Sequence, residues 1–252
     1  MSTDLITKDS FLSLQEGSEI AEAMEANLVP GEGITISDLP RVSIPAGGKT
    51  TWTWEDRRGE QSAKEISGVL VLVQPYGVLW PTEDVGDNRP LLVTTDLIHA
   101  YRVGREFGDI DPDELEKYRL DERSYNWQDL PWNQWGSGRN GTGKRCKEQR
   151  LLFVLAPGEV MPYLVTAQPG SLKAVSKFIK QLDVPFWRAI VKLTLKQETN
   201  DAGISYASIL PVQIGVLDKT TGDRVKALYT DPLRQSVRRI ESVVDKADDT
   251  PF

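Results

Sequence analysis

Cysteine and histidine are nearly absent: Cys146 is the sole cysteine and His99 the sole histidine in 252 residues. No disulfide can form within the chain, and a Cys/His zinc site would lack ligands. Also missing is any apolar run of the roughly 18 residues that a bilayer span needs. The opening stretch MSTDLITKDSFLSL has no basic segment leading into an apolar one, so no secretory signal is expected. Together these absences point to a cytoplasmic protein with no membrane partner. Enzyme signatures are lacking too. His99, in DLIHAY, has no nucleophile motif around it. Cys146 lies between Arg145 and Lys147, which would lower its thiol pKa, but no partner base is evident. The expectation is a protein that is not an enzyme and carries neither cofactor nor metal.

What is present is a strong charge asymmetry. The net charge is −7, yet residues 1–138 hold 12 Lys/Arg against 25 Asp/Glu, whereas residues 139–240 hold 17 against 8. The last twelve residues turn acidic again, with one cation against four acids. One half of such a chain attracts polyanions and the other repels them.

The hydrophobic pattern predicts an α+β protein, mainly β with helices. Residues 10–28 read as an amphipathic helix with Phe11, Leu12, Ile20, Met24 and Leu28 on its apolar side, ended by VPGEG. TTWTWE alternates, placing Trp52 and Trp54 on one strand face, and ISGVLVLVQPY (66–76) reads as a buried strand. LLVTT (91–95) is another strand candidate. Residues 104–149 lose all period and read as a long insertion, with an acidic helical turn at DIDPDELEKY. RLLFVLAP and MPYLVTA are strands, and SLKAVSKFIKQL (171–182) is a helix capped by Ser171 with Leu172, Val175, Ile179 and Leu182 buried. Strands follow at 186–197 and 203–216, then a final helix from an Asp231 cap with Pro232 in its first turn. A helix between the third and fourth of five strands is the arrangement of an oligonucleotide-binding (OB) barrel. The expected organisation is a helical segment over 1–33, an OB-like core over 34–230 with the insertion 104–149, and a C-terminal helix with an acidic tip over 231–252; another α+β sandwich fits the pattern nearly as well.

Two stretches carry the functional signal. Alternation in FWRAIVKLTLK sets Arg188, Lys192 and Lys196 on one strand face, about 13 Å apart per four residues, as a ladder for phosphates. In the insertion, Trp127 and Trp135 precede Arg139, Lys144, Arg145 and Lys147 among glycines 136, 138, 141 and 143, while Trp132 reads as a loop anchor. Aromatic faces beside cations suit sequence-tolerant binding of single strands, bases stacking while phosphates are neutralised. GRNGTGKR (138–145) has the spacing of a nucleotide phosphate loop but puts Arg145 where Ser or Thr should ligate magnesium, and it leads into a strand. The acids of DIDPDE (109–114) offer a weaker, nuclease-like metal reading.

The last five residues, DDTPF, resemble the acidic Pro-Phe tip of bacterial single-stranded DNA-binding proteins. That resemblance implies that Asp248 and Asp249 meet a basic rim on replication or repair proteins while Pro251 and Phe252 fill a pocket. The long Gly/Pro/Gln-rich linker of that family is not here. Residues 34–54 and 131–182 look like a group of phage-encoded proteins in which cysteines accompany the NQWGS and GKRC stretches; only Cys146 of that set is present. The resemblance implies sequence-nonspecific binding of single-stranded DNA in phage replication or recombination, in a host cytoplasm. The alternative is an adaptor or inhibitor of host repair with a DNA-mimicking acidic surface. Oligomeric state is left open by the sequence, homo-oligomers included.

Overall fold

The computed structural model describes residues 36–56, 58–83, 89–200 and 203–238. The predicted helix over 10–28 and the tip residues Asp248, Asp249, Pro251 and Phe252 lie outside these residues. The chain divides into two compact units, residues 1–73 with 150–236 and residues 74–149 with 237–252. The fold is α+β, mainly sheet with few helices. Among the described residues no helix is long and apolar enough to cross a membrane.

The first unit is organised around β4 (Glu65–Leu79), whose later residues enter the second unit. β4 lies between β8 (Lys147–Leu155) and β10 (Ala189–Thr199). A strand paired on both edges and covered on both faces has no polar side, which is why GVLVLV does not alternate. Val69, Leu70, Val71 and Leu72 are all fully buried. β9 (Tyr163–Ala167) pairs antiparallel with β8, and the two-residue β1 (Arg41–Val42) runs parallel to β9. On the other side β10 pairs antiparallel with β11 (Ser205–Val216). Among the described residues β1 and β11 end the hydrogen-bonded order, so the sheet is not closed into a barrel.

A hairpin of β2 (Trp52–Asp56) and β3 (Gly59–Ala63) joins β1 through a Ser43–Thr53 bridge. Trp52 and Trp54 do share a face: both pack on the core of Val42, Leu70, Val165, Val191 and Ile209, and the Trp52 indole donates to the Leu193 carbonyl at 3.3 Å. At the hairpin end, Arg58 donates to the Asp56 carboxylate at 2.8 Å and to Glu159 at 2.7 Å.

Two helix starts differ from the sequence reading. The helix after β9, α2, spans Pro169–Gln181 with Gln168 as its N-cap residue. Ser171 is therefore inside the first turn, and its hydroxyl accepts from the Ile209 amide at 2.9 Å instead of capping. The C-terminal helical stretch starts earlier than Asp231. Helix α3 (Lys219–Val225) is capped by Asp218, which accepts from the Thr221 amide, and a π turn at Lys226–Thr230 carries the chain on. Its Tyr229 and the following Leu233 are buried, and the Thr230 hydroxyl donates to the Val71 carbonyl of β4 at 2.6 Å.

The second unit is more ordered than an aperiodic insertion suggests. The end of β4 pairs with β5 (Leu92–Thr94), β5 with β6 (His99–Arg102), and β6 with β7 (Ser124–Asn126), all antiparallel. The acidic turn is helix α1 (Pro112–Glu116), capped by Asp111. The core of this unit gathers Leu79, Leu92, Ile110, Leu115, Trp127 and Cys146.

The packing around β4 and the hairpin pairing can each be tested. A Cβ on Gly68 would overlap the Leu155 carbonyl, with Val154 Cγ1 at 2.9 Å, whereas the buried hydroxyl of the neighbouring Ser67 has no partner. Denaturant unfolding of Gly68→Ala is expected to show a stability lower by ~1–3 kcal/mol. Ser67→Ala is expected to be neutral or slightly stabilising, because it removes an unpaired polar group. The second test concerns pH. Hydrogen bonding from Arg58 holds the Asp56 carboxyl down at about 2, against an ordinary 3.8. The stabilisation from this pairing is therefore complete above the ordinary value and disappears as pH falls through about 2. Asp56→Asn should flatten that part of the thermal-stability profile.

Candidate nucleic-acid interface

The loop of the second unit is a tied structure. The Cys146 amide donates to the Trp132 carbonyl at 2.9 Å, closing the loop at its base. Further out the Gly136 amide donates to the Gly143 carbonyl at 2.7 Å, and Ser137 Oγ donates to the Trp132 and Gln134 carbonyls at 2.8 and 2.7 Å. Gly136, Gly141 and Gly143 adopt φ of 91°, 73° and 65°, a left-handed region that explains the glycine content. Trp135 is 81% exposed on this frame, and Arg139 is exposed at its tip.

Several of the remaining loop residues are placed differently from expectation. Trp127 is fully buried in the core of its unit, with its ring 2.6 Å from where a Cβ on Gly77 would stand. It offers no face to a base, which corrects the stacking role read for it. Trp132 is half-buried against the same core, as an anchor should be. Arg145 is spent internally: its side chain is only 11% exposed and donates to the Pro81 carbonyl at 2.8 Å, to the Trp80 carbonyl at 3.4 Å and to the Asp109 carboxylate. A guanidinium that closes three acceptors is a fastener for the loop, not a phosphate ligand. Lys144 donates to Asn133 Oδ1 at 3.3 Å and to Glu148 at 3.2 Å, and the exposed Lys147 donates to the Lys144 carbonyl at 2.6 Å.

The ladder of the first unit is partly realised. Along β10, Val191, Leu193 and Leu195 enter the core while Lys192 and Lys196 point outward. Lys192 meets Glu65 at 3.5 Å and Lys196 meets Glu198 at 3.3 Å, surface pairs of the kind worth about 0–1 kcal/mol. Arg188 is not on the strand. It ends a 3₁₀ turn (Phe186–Arg188) just before β10, and its Nε donates to the Leu217 carbonyl at 3.0 Å.

Sequence reasoning missed a cleaner cationic row. Helix α2 has no acidic residue, and Lys173, Lys177 and Lys180 recur on its exposed side at i, i+4 and i+7. None has a carboxylate partner among the described residues. The spacing in SLKAVSKFIKQL carries this signal, beside the buried stripe that the same pattern shows. Arg41, also exposed, lines a groove of about 630 Å³ with Ser43, Thr166, Gln168, Ser205 and Tyr206, between β9 and β11.

Residues named in the catalytic and metal-site readings have partners of their own. Asp111 caps α1, Asp109 meets Arg145, and Glu114 meets Lys117 and Tyr118. Among the described residues no group of three or more His, Cys, Asp or Glu converges as a metal site. His99 is tied to Asp96, Nδ1 to Oδ2 at 2.6 Å. Burial pushes the Cys146 thiol up, opposite to the effect expected from its cationic neighbours. Native protein should therefore resist iodoacetamide at pH 8, and the same thiol should label fully once the chain is unfolded.

Comparison with family models, with curated proteins and with solved structures returns no match for this chain, so its functional reading rests on the residues themselves.

Proposed function

We propose that this protein binds single-stranded DNA without sequence preference and recruits replication or repair proteins through its acidic C-terminal tip, in a phage setting. The observation that carries the reading is Trp135: an indole 81% exposed on a hydrogen-bonded, glycine-bearing loop, with the exposed Arg139 in the same loop. Leaving a large aromatic in water forgoes the burial that aromatics usually gain, and stacking with a base recovers it.

Three further features support the reading. The first unit exposes the row Lys173, Lys177 and Lys180 together with Lys196, and Lys192 is half-buried; such cations can neutralise a phosphate backbone. Its strand order β9-β8-β4-β10-β11, with α2 between β9 and β10, follows that of an OB barrel. In place of the pair that would close the barrel, β9 and β11 flank the groove lined by Arg41. The DDTPF terminus, Asp248, Asp249, Pro251 and Phe252 included, resembles the partner-docking tip of bacterial single-stranded DNA-binding proteins.

Titration with oligo-dT, read by tryptophan fluorescence, tests the reading. Trp135→Ala should abolish most of the quenching and weaken binding by about 1–3 kcal/mol, roughly five- to 150-fold. Replacing Lys173, Lys177 and Lys180 by alanine should reduce the slope of log K against log salt by about 0.7 for each phosphate no longer neutralised. Absence of quenching and of strand retention at low salt would refute DNA binding outright.

A further inference from the structure

The groove between β9 and β11 and the lysine row of α2 meet on one helix stripe. Gly170 lines the groove, and Lys173, Lys177 and Lys180 follow it at steps of three, four and three residues. Such steps return to one side of a helix, and all four residues are exposed. Successive lysines are separated by a rise of ~6 and ~4.5 Å, at ~1.5 Å per residue. Arg41 is the one charged residue among those lining the groove. Neither Arg41 nor any lysine of the row meets a carboxylate among the described residues.

Tyr206 is the aromatic residue of the groove. Its ring packs on Gly170, where an added Cβ would lie 2.7 Å from Cε2, so a glycine is needed to seat it. The hydroxyl donates to Glu198 at 3.0 Å, which fixes the ring's orientation and leaves it half-buried at the groove. The groove's volume of about 630 Å³ falls within the ~300–1,000 Å³ of clefts that hold small ligands, enough for one nucleotide. A peptide strand finds less to pair with on β11: Ser171 Oγ takes the Ile209 amide at 2.9 Å, and Pro211 has no N–H. A cationic stripe leaving a groove without acids is instead complementary to a polyanion.

We infer that a single DNA strand follows this track. One nucleotide occupies the groove, its base against Tyr206 and its phosphate on Arg41, and the next phosphates run along Lys173, Lys177 and Lys180. The inference rests on the single-strand reading above and fixes where the strand lies in the first unit. Tyr206 becomes a stacking residue, and Gly170 the residue that positions it.

Cross-linking of the full-length protein to oligo-dT carrying iododeoxyuridine, which couples to aromatic rings in stacking contact, tests the track. A cross-link at Tyr206 is expected. Tyr206→Ala should weaken binding about tenfold, whereas Tyr206→Phe, which keeps the ring and loses the Glu198 bond, should bind as wild type. Arg41→Ala changes an exposed position and should lower the slope of log K against log salt by about 0.7. Cross-links at Trp135 alone, with Arg41→Ala and Tyr206→Ala binding as wild type, would overturn the track and leave single-strand binding standing. A wild-type protein that retains no strand at low salt would overturn both.

Discussion

The structure depends on the double burial of β4. Val69 to Leu72 are sealed on both faces, and both edges of the strand are used, toward β8 and toward β10. Burying four consecutive aliphatic side chains contributes roughly 1.5–3 kcal/mol each, most fully where the strand's own polar groups are paired and its neighbours pack closely. The Thr230 hydroxyl meets this condition on one side by donating to the Val71 carbonyl. Gly68 meets it on another by letting the Leu155 backbone approach where any Cβ would collide. The C-terminal helical stretch is thus part of the sheet's burial and not an appendage, and β10 inherits its position from β4.

That dependence explains which parts of the fold are legible in the sequence. Alternation in FWRAIVKLTLK is a local signal, and from Val191 onward it describes β10 correctly. It misplaces Arg188 because the chain there makes a 3₁₀ turn before the strand begins, which leaves no composition mark. Ser171 resembles a cap because Ser before an apolar run usually is one. Here its hydroxyl is recruited by an amide 38 residues away, and the helix instead opens on Pro169. LLVTT is legible as β5, but within 104–149 the strand β7 is only three residues long, shorter than any period can register.

The candidate interface divides along the same line. Residue type locates the loop, but fate within it depends on acceptors that sequence proximity does not reveal. Arg145 lies beside the Trp80 and Pro81 carbonyls, far away in the chain, and its Nη2 donates to both. Trp127 follows β7 into a core that needs a large ring against Gly77. Cations without a nearby acid are the better guide: α2 carries three lysines and no carboxylate, so its outward face has no internal use for its charge.

The fastening of the loop and the exposure of Trp135 are therefore one design. A free glycine-rich loop would let an indole collapse onto the nearest apolar surface, since that gains burial at little cost. The Cys146–Trp132 and Gly136–Gly143 hydrogen bonds and the internal anchoring of Arg145 remove that freedom. The ordering cost of the loop is met on folding. The internally bound Arg145 thus helps hold the loop on which Trp135 remains in water.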